Sequence, residues 1–167
     1  MMNSLNNRLP HNRWIIWLTL FVGLILQIMP WPAIISMFKP NWALLILIYW
    51  NLALPHRAGM GTAFIMGLIL DLFSGSVLGV HAFVLSVIAY LVIFKFQLVR
   101  NLALWQQSLI IVLLSICYDL VLFIIEIVMN HSITMTPLLF LSCLVNGLLW
   151  VWMFLLLRFI RRRFWIT

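Results

Sequence analysis

The sequence predicts an all-α fold, a polytopic membrane protein built as a bundle of six transmembrane helices. Three observations predict it. The chain is 66% hydrophobic and only 8% charged, whereas a soluble domain keeps about 25% charged residues. Its apolar runs are separated by short polar joints. Its ten lysines and arginines lie at the ends of those runs or between them. At ~20 residues per span, 167 residues hold six spans and little else. The expected division is a short cytoplasmic tail (1–13), a six-span domain (14–157) and a basic cytoplasmic tail (158–167). That leaves no room for a soluble catalytic or binding domain. The net charge of +7 is therefore read against topology and anionic lipid, not nucleic acid.

The six expected spans are Trp14–Met29, Trp42–Leu54, Ala58–Phe73, Val80–Phe94, Leu102–Met129 and Leu138–Leu157. The first follows Arg8 and Arg13 as a signal sequence does, but it ends in Met29-Pro-Trp-Pro32 with no small-x-small cleavage site, so it reads as an uncleaved span. The second is short, roughly 20 Å of helix against a hydrocarbon core of about 30 Å. Taken alone it fits a short span, a re-entrant segment or a helix extended into its flanks. Charge decides. Six spans with both ends inside place Arg8, Arg13, Arg57, Lys95, Arg100, Arg158, Arg161, Arg162 and Arg163 in the cytoplasm and only Lys39 outside. Dropping the second span separates the C-terminal arginine cluster from the N-terminal arginines. Trp14, Trp17 and Trp105 fall near the inner boundary and Trp31 and Trp42 near the outer one, where indoles anchor. Cys117 and Cys143 both fall within spans and read as small packing residues. Of the histidines, His11 and His56 fall inside, His131 outside and His81 at the start of span four; no pair has metal-ligand spacing on one helix.

The polar residues within the spans carry the site hypotheses. All three acids, Asp71, Asp119 and Glu126, lie in apolar segments, where an insertion scale sets the cost of a central Asp at about 2.5–3.5 kcal/mol. Counting along the spans puts them in the outer half of the bilayer. Ser115, Asp119 and Glu126 share one face of span five, and Ser142 and Asn146 share a face of span six. Gly59, Ala63, Gly67 and Asp71 recur every fourth residue in span three, with Gly75 and Gly79 continuing the count. Such a small-residue stripe lets helices approach closely, so Asp71 is expected to face a neighbour, with span five the obvious candidate. The polar faces admit three readings: a hydrogen-bonded network that fixes packing, a contact for a partner's transmembrane helix, or a chemical or transport site. Under the first, amide replacements of the acids are expected to be tolerated better than leucines.

The runs Lys39-Pro-Asn-Trp42, Leu54-Pro-His-Arg57, Gly67–Gly79 (GLILDLFSGSVLG), Asn101-Leu-Ala-Leu-Trp-Gln-Gln107 and Val145-Asn-Gly-Leu-Leu-Trp150 resemble the MreD family of rod shape-determining membrane proteins. The resemblance extends from about Arg13 to Arg163. It implies a non-enzymatic inner-membrane component of the cell-elongation machinery, without cofactor, that binds MreC directly. Through MreC it would join MreB, RodA and a class B penicillin-binding transpeptidase. It also implies an architecture similar to the six-helix substrate-binding subunits of energy-coupling-factor transporters.

Within that reading Asp71, Asp119 and Asn146 stabilise the bundle, and Lys39-Pro40-Asn41-Trp42 fixes the outer end of span two. Pro40 suits a helix start, with Asn41 or Lys39 satisfying its free amide end. Arg158, Arg161, Arg162 and Arg163 form an inner-leaflet basic cluster. The alternative is a small-molecule or lipid-binding subunit like the vitamin carriers. Against it, span one lacks the Ala-x-x-x-Ala pattern those carriers use to couple to their energising partner. An enzyme is the third class, with Asp71 and Asp119 as an aspartyl pair similar to that of lipoprotein signal peptidase. The Asn-x-x-Asp contexts of that family are absent.

Overall fold

A computed structural model describes residues 13–32, 38–55, 58–129 and 139–163, and gives every side chain in these stretches except those of Arg13, Glu126, Leu139 and Phe140. The expectations for Arg8, His11, His56, Arg57 and His131 lie outside the described residues. Among these residues there are seven helices and no strand: α1 (Arg13–Ile28), α2 (Trp42–Ala53), α3 (Met60–Ser74), α4 (Val80–Phe94), α5 (Phe96–Asn101), α6 (Leu104–Val128) and α7 (Leu139–Arg163). Two of them carry stretches long and apolar enough to cross a membrane, Leu104–Ile125 and Leu141–Arg163.

The core is organised around α2. Its ten residues from Ala43 to Leu52 are all buried, because α1, α4, α5 and α7 pack around it. A helix enclosed by protein has no lipid-facing length to match. Its twelve residues, ~18 Å of helix, are fewer than the about twenty that a lipid-exposed span needs. Trp50 is wholly buried, its indole N–H donating to Thr19 Oγ1 of α1 at 2.8 Å. On α1 the inward positions Ile16, Leu20 and Leu24 recur every fourth residue, while Trp14, Phe21 and Ile25 are exposed. The same holds across the bundle: Leu72, Phe94, Leu148 and Trp152 are each more than 60% exposed. An outer surface this apolar suits hydrocarbon, not water.

The most intimate pair is α3 with α4. Of the small-residue stripe, Ala63 is fully buried and Gly67 is where the backbones meet, since a methyl group there would overlap the backbone of His81 and Ala82. The rest of the stripe does other work. A methyl group on Gly59, which precedes α3, would meet no neighbour, and Gly75 and Gly79 have φ of 67° and 102°. Those two form the turn between the helices, in the left-handed region that glycine enters without a Cβ clash. The every-fourth count continues past the end of the helix, where it no longer describes a face.

Two boundaries differ from the expected ones. The joint before α6 contains the short helix α5, held by Gln107, whose Nε2 donates to the carbonyls of Val99 and Leu102 at 3.1 Å each. Trp150 of α7 donates in turn to Gln107 Oε1 at 3.4 Å. The last helix runs through Arg163, so Arg158, Arg161, Arg162 and Arg163 occupy its final turns. Positive charge there opposes the negative end of the helix dipole, so continuing the helix is favoured.

The α3–α4 contact gives a paired test. Gly67→Ala is expected to cost ~1–3 kcal/mol through overpacking and to lower the melting temperature of the detergent-purified chain. Gly61→Ala, with open space around its Cα, is expected to leave it unchanged or slightly raised.

Candidate functional site

Asp71 and the set Ser115, Asp119 and Asn146 belong to two separate polar clusters. The first is local. Asp71 sits one turn before the end of α3 and is 1% exposed. Its carboxylate meets the start of α4, where the first amides of a helix have no partner within it. Oδ1 accepts from the His81 amide at 2.9 Å, the Ser76 hydroxyl at 2.9 Å and His81 Nδ1 at 2.8 Å. Oδ2 accepts from the amides of Gly79 at 2.8 Å and Ala82 at 3.3 Å. The acid thus caps the helix that follows its own, where a negative charge also opposes the positive end of the dipole. Its neighbour is the next helix start and not α6, as expected from the stripe. A backbone amide leaves no side-chain signature in the sequence, so that partner could not be read there.

The second cluster joins residues far apart in the chain. Asn146 of α7 is fully buried; its Nδ2 donates to Ser115 of α6 at 3.1 Å and its Oδ1 accepts the backbone amide of Asn41 at 2.9 Å. Asn41 Nδ2 donates to Asp119 Oδ1 at 3.4 Å, and its Oδ1 accepts from Gln27 of α1 at 3.5 Å. The Cys143 thiol donates to Asp119 Oδ2 at 3.2 Å, so this cysteine is a hydrogen-bond donor as well as a packing residue. Ser142, its neighbour on α7, is half-buried beside it and also bonded to it. Glu126 lies on α6 two turns beyond Asp119, with its side chain outside the described residues.

The Lys39-Pro40-Asn41-Trp42 motif therefore belongs to the same cluster as Asp119 and Asn146. Neither Asn41 nor Lys39 caps α2 with its side chain. The Asn41 carboxamide is engaged by Asp119 and Gln27, and the end of α2 is tied instead by Asn146 reaching across from α7. Lys39 donates to the Met29 carbonyl at 3.5 Å, and partial burial lowers its pKa. Gln27, Cys143 and Thr19 are site or core partners that sequence reasoning missed. Their signal was weak: single polar residues at inward positions of otherwise apolar helices.

The two clusters approach each other at Tyr118. Its ring lies 6.5 Å from that of His81, and both Asp71 and Asp119 act on it electrostatically. The two carboxylates share no hydrogen-bond partner among the described residues, so they do not form an aspartyl pair that shares a proton at contact distance. Among the described residues no group of three or more His, Cys, Asp or Glu is placed to hold a metal ion. Among the cavities lined by described residues are two. One, of about 450 Å³, lies between α1 and α3 against Trp14, Trp17, Phe21 and Ile65. The other, of about 240 Å³, lies against Tyr49, Arg100, Arg158 and Arg161. Neither is lined by Asp71, Asp119, Ser115 or Asn146.

Compared with known proteins, residues 10–160 match the family model of the rod shape-determining protein MreD. A rod shape-determining protein MreD of Haemophilus influenzae is 41% identical over 152 residues, covering 90% of this chain and 93% of that relative. No solved structure matches.

The two carboxylates are expected to respond differently to conversion into amides. At Asp71 both oxygens accept from N–H or O–H donors, so the NH2 of an asparagine faces donors whichever way it turns. Asp71→Asn is expected to cost ~2 kcal/mol or more, close to the cost of Asp71→Ala. At Asp119 an amide oxygen can serve Asn41 while its NH2 faces the sulfur of Cys143, and Asp119→Asn is expected to cost less than ~1 kcal/mol. Thermal unfolding of the detergent-purified variants measures both. This narrows the expectation that amides are tolerated generally.

Proposed function

This chain belongs to the rod shape-determining protein MreD family, and from that premise we propose that it is a non-enzymatic scaffold of the cell-elongation complex in the bacterial inner membrane. It binds MreC directly and, through MreC, shares a complex with MreB, RodA and a class B penicillin-binding transpeptidase, supporting the peptidoglycan synthesis that maintains rod shape. One observation carries the reading. The carboxylates of Asp71 and Asp119 and the carboxamide of Asn146 spend their hydrogen bonds on the bundle itself and open into neither cavity described above. Polar groups arranged in this way hold helices in register. Their donors and acceptors are spent on neighbouring helices, whereas a transport or catalytic site aims such groups at a substrate.

Six helices, α1 to α4 with α6 and α7, cross the membrane in this proposal, and α5 lies at the cytoplasmic boundary. The short helices are supported by their surroundings: α2 is enclosed by protein, and the ends of α4 and α2 are tied by Asp71 and Asn146. Both chain ends then lie in the cytoplasm. The groove between α1 and α3, walled by Trp14, Trp17, Phe21 and Ile65, offers the outward apolar surface that another transmembrane helix can seat against.

Co-expression with MreC and purification in mild detergent tests the scaffold: MreC is expected to co-purify, and a chain that never captures it overturns the reading. Topology is checked separately with a membrane-impermeant maleimide. Lys39→Cys is expected to label in intact spheroplasts, and Arg162→Cys only after permeabilisation.

A further inference from the structure

The cavity of about 240 Å³ at the arginine end of the bundle is not used by anything above. It lies among α2, α5, α6 and α7, with Arg100, Arg158 and Arg161 around it and Tyr49, Gln107 and Phe154 in its wall. Three arginines line it, and no acidic side chain does. The chain has only three acidic residues; Asp71 and Asp119 are committed elsewhere, Glu126 lies on α6 two turns beyond Asp119, and none lines the cavity. Among the described residues the one ion pair is between His81 and Asp71. Like charges gathered in this way repel one another unless an anion joins them.

A second observation points the same way. Tyr49 is 2% exposed and lines the cavity, and its hydroxyl makes no hydrogen bond among the described residues. Its ring is fixed edge-on against Trp50 at 5.4 Å and Phe154 at 5.6 Å, so the hydroxyl cannot swing away to find a partner. The charged groups that act on it electrostatically are Arg161 and Arg158. The lining thus combines a tyrosine O–H with three arginines, whose planar guanidiniums are donors. That donor set matches the oxygens of a phosphate, which arginine binds in bidentate fashion. The volume is below the ~300–1,000 Å³ of pockets that enclose whole drug-sized molecules, and suits a single headgroup.

We propose that this cavity is a binding site for a phosphate-bearing anion, and that the anion is the headgroup of an anionic phospholipid. The apolar outer faces of α5 and α7 beside it, Leu98, Leu155, Leu156 and Phe159, are exposed and provide the surface along which the acyl chains lie. A free phosphate compound has the same headgroup chemistry but makes no use of that surface. The inference rests on the chain being embedded in a membrane and does not depend on any protein partner.

Native mass spectrometry of the full chain in detergent tests it, with phosphatidylglycerol titrated against phosphatidylcholine of identical acyl chains. The wild type is expected to prefer phosphatidylglycerol at least tenfold. Arg158→Gln with Arg161→Gln is expected to lose most of that preference. Arg162→Gln with Arg163→Gln removes equal charge from residues that do not line the cavity and is expected to keep it. Equal loss in both double variants, or none in the first, overturns the site in favour of diffuse charge attraction. Displacement of phosphatidylglycerol by millimolar inorganic phosphate overturns the lipid as source. Tyr49→Phe provides a reading should the arginine variant fail to fold: a several-fold weaker phosphatidylglycerol affinity supports the site, and unchanged affinity overturns it. Because both lipids are supplied in detergent and MreC is absent, a negative result here is distinct from failure of MreC capture.

Discussion

Backbone amides and carbonyls removed from water must be bonded within the protein, and the ends of a helix are where the helix cannot do this for itself. This bundle contains a helix of twelve residues, α2, at its centre, and the start of that helix packs among other helices, with Asn41 and Trp42 half-buried. Asn146 meets that requirement by accepting the Asn41 amide. The remaining polar placements follow from it. Asn146 needs a fixed rotamer, which Ser115 supplies. Asn41, held at the helix start, turns its side chain to Asp119 and Gln27, and Asp119 is completed by Cys143. The cluster draws α1, α6 and α7 onto the start of the central helix.

The α3–α4 pair meets the same requirement by a different route. Where Gly67 brings the two backbones together, the first residues of α4 are partly covered as well, and their amides are served from within the protein. Asp71 reaches them from the preceding helix, and the turn between Gly75 and Gly79 sets the reach. A neutral acceptor such as Asn146 suffices at α2, where one amide needs a partner. At α4 three amides, a hydroxyl and an imidazole converge, and a carboxylate with two accepting oxygens fits that number of donors.

The helical class and the position of most helices were legible in the sequence, because apolar run length and basic punctuation encode them directly. The buried acids were legible as exceptions: a carboxylate in an apolar run has to be satisfied by something. What satisfies it was not legible. Asp71 is bonded chiefly by backbone, which every residue has, and the Asn41–Asn146 bond spans 105 positions with no periodicity linking its ends. Cys143 read as a small apolar residue because its thiol is one in most settings, and only the proximity of Asp119 makes it a donor. The stripe in α3 was right about close approach at Gly67 and misleading beyond Ser74, where the chain leaves the helix but the spacing continues by coincidence.

The sequence separations of the two clusters also set an order of events during synthesis. Asp71 and the amides it accepts are ten or so residues apart, so they leave the ribosome together, and the α3–α4 hairpin can form with its acid already satisfied. Asn41 must wait. Gln27 precedes it, but its other two partners lie 78 and 105 residues downstream, on the last two long helices to be made. Until α7 arrives, the start of the central helix is open, and a nascent chain halted before Asn146 holds its future core unlocked.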